Sequence, residues 1–196
     1  ATIEQAYITA MEGRPGPVVI SLPEDMLYEE ASSAIPARVS ITRPAPAIDA
    51  NTTARSMLEG AERPMVIAGG SVWDDGSIAD LSRFAASFGV PVACSFRRQR
   101  LMNNLDPHYA GDLGLGCNPA LLERIRGSDC LILLGGRLSE IPSQSYTLLD
   151  IPSPQMPLIH VHPSSGELGR VYTPTLGIET SPGAFLTAMM QGREVT

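Results

Sequence analysis

Met65-Val66-Ile67-Ala68-Gly69-Gly70-Ser71 is a short, wholly apolar run that stops at paired glycines, and residues 130–137 repeat it as Cys130-Leu131-Ile132-Leu133-Leu134-Gly135-Gly136-Arg137. Apolar runs of this length, without polar alternation, suit strands buried on both faces of a sheet. What lies between and around them alternates with helical periodicity. Ser77 to Phe88 carries Ile78, Leu81, Phe84, Ala85 and Phe88 at helix spacing and ends at Gly89. Val90 to Ser95 reads as the next strand, with a shorter one near Tyr109-Ala110. A helix over Pro119–Arg126 has proline in its first turn and Asn118 as its cap. Leu158 to His162 and Thr175 to Glu179 read as two further strands, and residues 181–191 as a closing helix. Another helix, over residues 51–61, stops before Pro64. The order predicts an α/β fold: an open, doubly wound, mainly parallel six-stranded sheet of Rossmann-like type with helices on both faces. Ligands of such a sheet sit at the carboxyl ends of the strands, near the point where strand order reverses.

Upstream the pattern changes. Ile3, Ala6, Tyr7, Ala10 and Met11 recur at helical spacing, so residues 2–12 read as a helix stopped by Gly13. Val18-Val19-Ile20-Ser21-Leu22 then reads as a strand closed by Pro23. One helix and one strand make no core, so residues 1–27 are expected to be the tail of a preceding domain. Residues 28–50 are rich in Ala, Ser and Pro, with Pro36, Pro44 and Pro46, and read as a semi-rigid linker. Residues 51–196 are the main domain.

Composition narrows the function. The formal net charge of −7 argues against a phosphate-backbone partner, which needs a cationic surface. The sequence shows no apolar run near the ~18–20 residues of a membrane span, and the expected location is the cytoplasm. Cys94, Cys117 and Cys130 are odd in number and lack the spacing of a zinc site, which suits reduced thiols. Cys94 and Cys130 lie in apolar strands and read as inert core residues.

The candidate ligand contacts are the strand ends. Gly69, Gly70 and Ser71, and likewise Gly135, Gly136 and Arg137, place flexible backbone where a phosphate would lie, and Arg137 brings a planar donor fork. The plainer reading is a tight turn after each strand, with Arg137 paired to a surface carboxylate. Neither stretch has the GxGxxG pattern. Gly111 to Pro119 is a third glycine-rich stretch, either wrapping a cofactor or serving as loop and helix cap. The basic run Phe96-Arg97-Arg98-Gln99-Arg100 follows a strand and offers an anion contact or a solvated charge run. His160 and His162 share a strand face, but no acidic or cysteine cluster completes a metal shell, so satisfied strand-end histidines are the expectation. No nucleophile elbow, zinc-binding or P-loop motif is present, and no catalytic residue is assigned.

Residues 13–26, Gly13-Arg14-Pro15-Gly16-Pro17-Val18-Val19-Ile20-Ser21-Leu22-Pro23-Glu24-Asp25-Met26, resemble the end of the pyrimidine-binding domain of thiamine-diphosphate enzymes of the acetolactate synthase type. In that family a proline-bearing linker and a six-stranded central domain follow, and the order here is the same. Residues 62–70, 89–92 and 128–137 resemble successive strands of that central domain. The resemblance implies a central, non-catalytic part of a thiamine-diphosphate- and Mg2+-dependent 2-oxo acid carboligase or decarboxylase. Such an enzyme cleaves a 2-oxo acid and adds the fragment to a second carbonyl compound. It also implies that the activating glutamate and the metal-binding motif belong to other domains, so that the chain alone is inactive. The intact enzyme is expected to be a homodimer or tetramer. Pyruvate, benzoylformate and oxalyl-CoA all remain open as substrates.

In flavin-containing members the central domain holds FAD, and related ones hold an adenine nucleotide or nothing. Positions resembling that site are Gly69, Gly70, Ser71, Ser95, Phe96, Gly114, Gly116, Gly136 and Arg137. Three stretches depart from the flavin pattern: Gly114-Leu115-Gly116-Cys117, Leu138-Ser139-Glu140-Ile141 and His160-Val161-His162. The expectation is therefore a domain without FAD. The competing readings are a free-standing nucleotide- or flavin-binding module and a purely architectural spacer.

Overall fold

A computed structural model describes residues 2–30, 41 and 45–193. The chain divides into two units, Ala1–Arg43 and Pro44–Thr196. In the first, α1 (Thr2–Met11) forms where the helical spacing places it and buries no residue. Gly13, at φ +55°, turns the chain out of the helix. The strand expected at Val18–Leu22 does not form. The segment pairs with nothing among the described residues, and Val19 is 93% exposed. A strand exists through its ladder, and β-propensity without a neighbouring strand does not make one. A single 3-10 turn follows at Asp25–Tyr28. Most of the expected linker, residues 31–40 and 42–44, lies outside the described residues.

The second unit runs α2 (Ile48–Glu59), β1 (Pro64–Ala68), α3 (Asp75–Phe88), β2 (Val92–Ser95), β3 (Tyr109–Leu113), α4 (Pro119–Arg126), β4 (Cys130–Leu134), β5 (Leu158–His162), β6 (Leu176–Glu179) and α5 (Pro182–Met190). All six strands are parallel, in the order β3-β2-β1-β4-β5-β6. The order reverses between β1 and β4, so the carboxyl ends of these two strands mark the switch point. β1 and β4 are in register from Pro64–Cys130 to Ala68–Leu134. α2 opens three residues before the periodicity suggests, within the stretch read as linker. β3 extends three residues beyond the expected Tyr109-Ala110, through Gly111, Asp112 and Leu113. It is an edge strand, half-buried for most of its length, so it lacks the apolar run that announces the central strands.

Successive residues of the central strands face opposite cores. Val66, Ala68, Ile132 and Leu134 pack with α2, α3 and α5 through Ala54, Leu58, Leu81, Phe84, Phe185 and Met189. Met65, Ile67, Leu131 and Leu133 pack with α4 through Leu121 and Ile125, and with Leu138, Leu148 and Tyr172 from irregular segments. Each such aliphatic side chain contributes roughly 1.5–3 kcal/mol of burial.

Local signals set the helix ends. Asp74 Oδ1 accepts from Ser77 N at 2.8 Å while Ser77 Oγ accepts from Asp74 N at 2.9 Å, closing a capping box on α3. Gly89, at φ +60°, ends that helix. Asn118 Oδ1 caps α4 by accepting from Ala120 N at 2.9 Å, as expected from the sequence. At the far end of α5, the Arg55 guanidinium of α2 donates to the carbonyls of Ala188, Met189 and Gln191, and Asn51 Nδ2 donates to Ala188 O at 3.0 Å. A cation there meets the negative end of the helix dipole.

Candidate functional site

The switch point is built by two glycine turns that meet each other. Gly70, at φ +80°, lies so close to the Gly135 carbonyl that a Cβ on Gly70 would overlap the oxygen. A Cβ on Gly136 would lie 2.8 Å from Gly70 N and 2.9 Å from the Gly69 carbonyl carbon. On Gly69 it would stand 2.9 Å from the Cβ of Ser95, at the end of β2. The structure therefore brings Gly69, Gly70, Ser95 and Gly136 together, and glycine is required there by backbone meeting backbone. Pro182 and Trp73 close the place further. Pro182 Cγ would be 2.5 Å from a Cβ on Gly135, and Trp73 Nε1 donates to Gly69 O at 2.6 Å.

The other candidates spread out from this centre. Phe96 faces Gly114, its Cδ2 lying 3.8 Å from where a Cβ on Gly114 would be, and the Arg97 guanidinium lies 5.0 Å from the Phe96 ring centroid. Ser71 and Gly116 are exposed, and a Cβ on Gly116 would meet nothing within 4 Å. Arg137 turns to Glu167, with Nη1 3.6 Å from Oε1. The plainer reading of Arg137, a carboxylate pair, is the contact that forms, although the carboxylate is buried.

A pyrophosphate across the switch point does not fit this arrangement. Gly69 N donates to Leu134 O at 2.9 Å and Gly135 N to Val161 O at 2.8 Å, so these amides belong to the sheet. The amino end of α3, which follows β1, presents Asp74 and Asp75, and carboxylates there repel an anion where an open helix end would attract one. Magnesium has no cage either: among the described residues no group of three or more His, Cys, Asp or Glu side chains is placed to hold a metal ion.

The strand-end histidines are satisfied. His160 Nε2 lies 3.0 Å from Gly136 O, and His162 Nδ1 accepts from Ser164 N at 3.1 Å. Burial pushes the His160 pKa down to about 4, against the opposing pull of the Gly136 carbonyl, so the ring is neutral and donates to that carbonyl. Burial raises Cys94 and Cys130 to about 11, which makes both thiols unreactive at neutral pH. Trp73, Asp74, Glu167 and Arg170 shape the strand ends but had no place among the sequence candidates. The one local signal was the Asp74–Ser77 spacing of a helix cap; Trp73 and Arg170 sit in loops, and Glu167 ends a three-residue 3-10 turn too short to show periodicity.

The model of the central domain of thiamine pyrophosphate enzymes matches residues 52–189. The chain belongs to this family. It is 26% identical over 190 residues to the acetolactate synthase isozyme 2 large subunit of Escherichia coli K12, covering 95% of this chain and 34% of that protein. The glyoxylate carboligase of Escherichia coli O157:H7 is 28% identical over 196 residues, covering 96% and 32%. The chain thus spans about a third of the length of these relatives. Its fold matches the crystal structure of benzoylformate decarboxylase from Polynucleobacter necessarius, with TM-score 0.74 at 20% identity over 97% of this chain and 35% of that one. It also matches a thiamin diphosphate-dependent enzyme from Mycobacterium smegmatis, with TM-score 0.79 at 21% identity over 99% and 37%. The resemblance drawn from residues 62–137 and the parallel six-stranded sheet both hold, and a free-standing nucleotide module is not favoured. Among the described residues no helix is long and apolar enough to cross a membrane.

Proposed function

We propose that this chain is the central, non-catalytic part of a thiamine-diphosphate- and Mg2+-dependent 2-oxo acid carboligase or decarboxylase. In this reading residues 1–27 close the pyrimidine-binding domain, residues 28–50 link, and residues 51–196 form the central domain. The thiamine cofactor, bound by other domains, supplies the electron sink for cleavage next to the carbonyl. This chain's part is to fix the spacing between those domains with a rigid sheet. The observation that supports this reading is the family match over residues 52–189.

The same proposal assigns no dinucleotide to the central domain. Gly69, Gly70, Ser95 and Gly136 serve the crossing of the two turns, and Asp74 and Asp75 put two carboxylates at the amino end of α3. Ser71 and Gly116 are exposed, and Arg137 turns to Glu167. FAD or an adenine nucleotide is therefore not part of the working enzyme, which we place in the cytoplasm as a homodimer or tetramer.

The test is 2-oxo acid consumption with thiamine diphosphate and Mg2+, measured on the 196-residue chain and on the chain together with the coding sequence that flanks it. The expected result is turnover only in the extended protein, with no yellow chromophore after purification. Turnover in neither, or flavin at one per chain, overturns the corresponding part of the proposal.

A further inference from the structure

Beside the closed switch point, a separate cavity of about 210 Å3 opens at the carboxyl ends of β4 and β5. Arg137 reaches it from the end of β4, and Arg170 from the loop that follows β5. Both guanidiniums meet the same oxygen, Glu167 Oε1, at 3.6 and 3.3 Å. The Glu167 side chain is 7% exposed, whereas those of Arg137 and Arg170 are 51% and 62% exposed. Two cations share one carboxylate, so the cluster carries a net positive charge. His160, which also lines the cavity, adds none at neutral pH. Each guanidinium has five donors, and one shared acceptor engages few of them.

The cavity wall is held in a disfavoured conformation. Gln144, Ser145 and Tyr146 have φ of +52°, +57° and +62°, three successive left-handed residues, none of them glycine. The turn persists because Ser145 N donates to Glu140 O at 2.7 Å and Tyr146 N donates to the buried Ser143 Oγ at 2.9 Å. Tyr146 lines the cavity together with the apolar side chains of Leu133, Leu138 and Val171. Strain that the surroundings over-determine in this way gathers at ligand clamps.

We propose that this cavity binds a small oxyanion, a carboxylate or a phosphate monoester, between Arg137 and Arg170, with Glu167 aiming the two guanidiniums and Tyr146 closing one side. The planar forks of two arginines match the paired oxygens of such groups. The volume is below the roughly 300–1,000 Å3 of pockets for larger ligands, which selects a small one. This site does not depend on the thiamine-diphosphate reading, because all its residues belong to this chain's sheet unit.

The experiment titrates the 196-residue chain with inorganic phosphate and, separately, with acetate, following backbone amide shifts around Arg137 and Arg170. Saturable binding of at least one at millimolar concentration is expected. Phosphate alone assigns a phosphate monoester, acetate alone a carboxylate, and both the shared oxyanion chemistry. Arg137→Gln and Arg170→Gln are each expected to weaken binding about tenfold. Glu167→Gln is expected to tighten it several-fold, because the net charge rises; a merely structural ion pair would give no such gain. Tyr146→Gly relieves the left-handed turn and removes the wall, so the melting temperature should rise while affinity falls. If Arg137→Gln does not fold, Arg137→Lys keeps the charge and loses the fork, and weaker binding is again expected. No saturable binding of either anion, or binding unchanged in the arginine variants, overturns the proposal.

Discussion

Val18-Val19-Ile20-Ser21-Leu22 and Cys130-Leu131-Ile132-Leu133-Leu134 are both five-residue runs read as strands, the first apolar but for Ser21, and they end in opposite states. The second is β4, buried at all five positions and bonded on one side to β1 and on the other to β5. The first belongs to no helix or strand, with Val19 93% exposed and no ladder among the described residues. Propensity is nearly equal in the two runs, so the difference comes from what lies alongside. β4 has two parallel neighbours to take its amides and carbonyls, and helices beyond them to cover its faces. A strand is thus a property of a sheet more than of five residues.

That contrast makes quantitative predictions. The largest effect is expected from Ile132→Asp, which puts an unpaired charge at a fully buried site in the middle of β4. Its cost, about 4 kcal/mol or more, is comparable to the whole stability of many domains, and circular dichroism should show a chain largely unfolded in buffer. Next is Gly70→Ala, where β1 hands over to the turn against β4. The left-handed φ and the overlap with the Gly135 carbonyl should together cost about 3 kcal/mol, read as a lower urea midpoint with unchanged slope.

The third prediction uses acid on β5, the other neighbour of β4. His160 takes up its proton only near pH 4 in the folded chain, against 6.5 for the ordinary side chain. The unfolded chain therefore binds more protons between these values. Stability is full above about pH 6.5 and declines as the pH falls toward 4, by about 2–3 kcal/mol from this group. Urea unfolding at a series of pH values should show the decline in the natural protein and its loss in His160→Asn. A stability independent of pH across that window would mean that the ring is not buried as described. The smallest effect is expected from Val19→Ser, within about 0.5 kcal/mol, as for an exposed position. A large loss there would break the comparison at its root, since it would show Val19 buried in solution.

How far the amino-acid pattern could be read follows the same division. β1, β2, β4 and β5 were legible because burial on both faces leaves little room for polar residues, Ser95, His160 and His162 being the ones they hold. α3 was legible through Ile78, Leu81, Phe84, Ala85 and Phe88 at helix spacing with Gly89 at its end, and α4 through Asn118 and Pro119; the caps Asp74 and Ser181 are shown by the structure alone. β3 was only half legible, because an edge strand can hold Gly111 and Asp112. At the strand ends, Gly69-Gly70 and Gly135-Gly136 were visible as places where the backbone must be bare. What stands opposite them depends on β1 lying beside β4, more than sixty residues away in sequence, and no local pattern states that. A separation of thirty residues likewise hides Glu167 from Arg137. The turn at Gln144–Tyr146 was hidden for another reason, since left-handed backbone without glycine leaves no mark in composition.

The hold of Arg55 and Asn51 on the last turn of α5 has a consequence for how this unit is carried in a longer polypeptide. α2 begins the sheet unit and α5 ends it, and the grip between them brings the chain back to where it started. The start of α2 and the end of α5 are therefore neighbouring points, and any segment joined to either leaves the sheet unit from the same side. Lengthening a turn on the far side leaves the separation of the two attachment points unchanged. A cassette of this kind tolerates transplantation and circular permutation, because its two ends already meet. New termini opened at the exposed tip near Leu105, with the old ones joined by a short bridge, are expected to leave the six-stranded sheet intact.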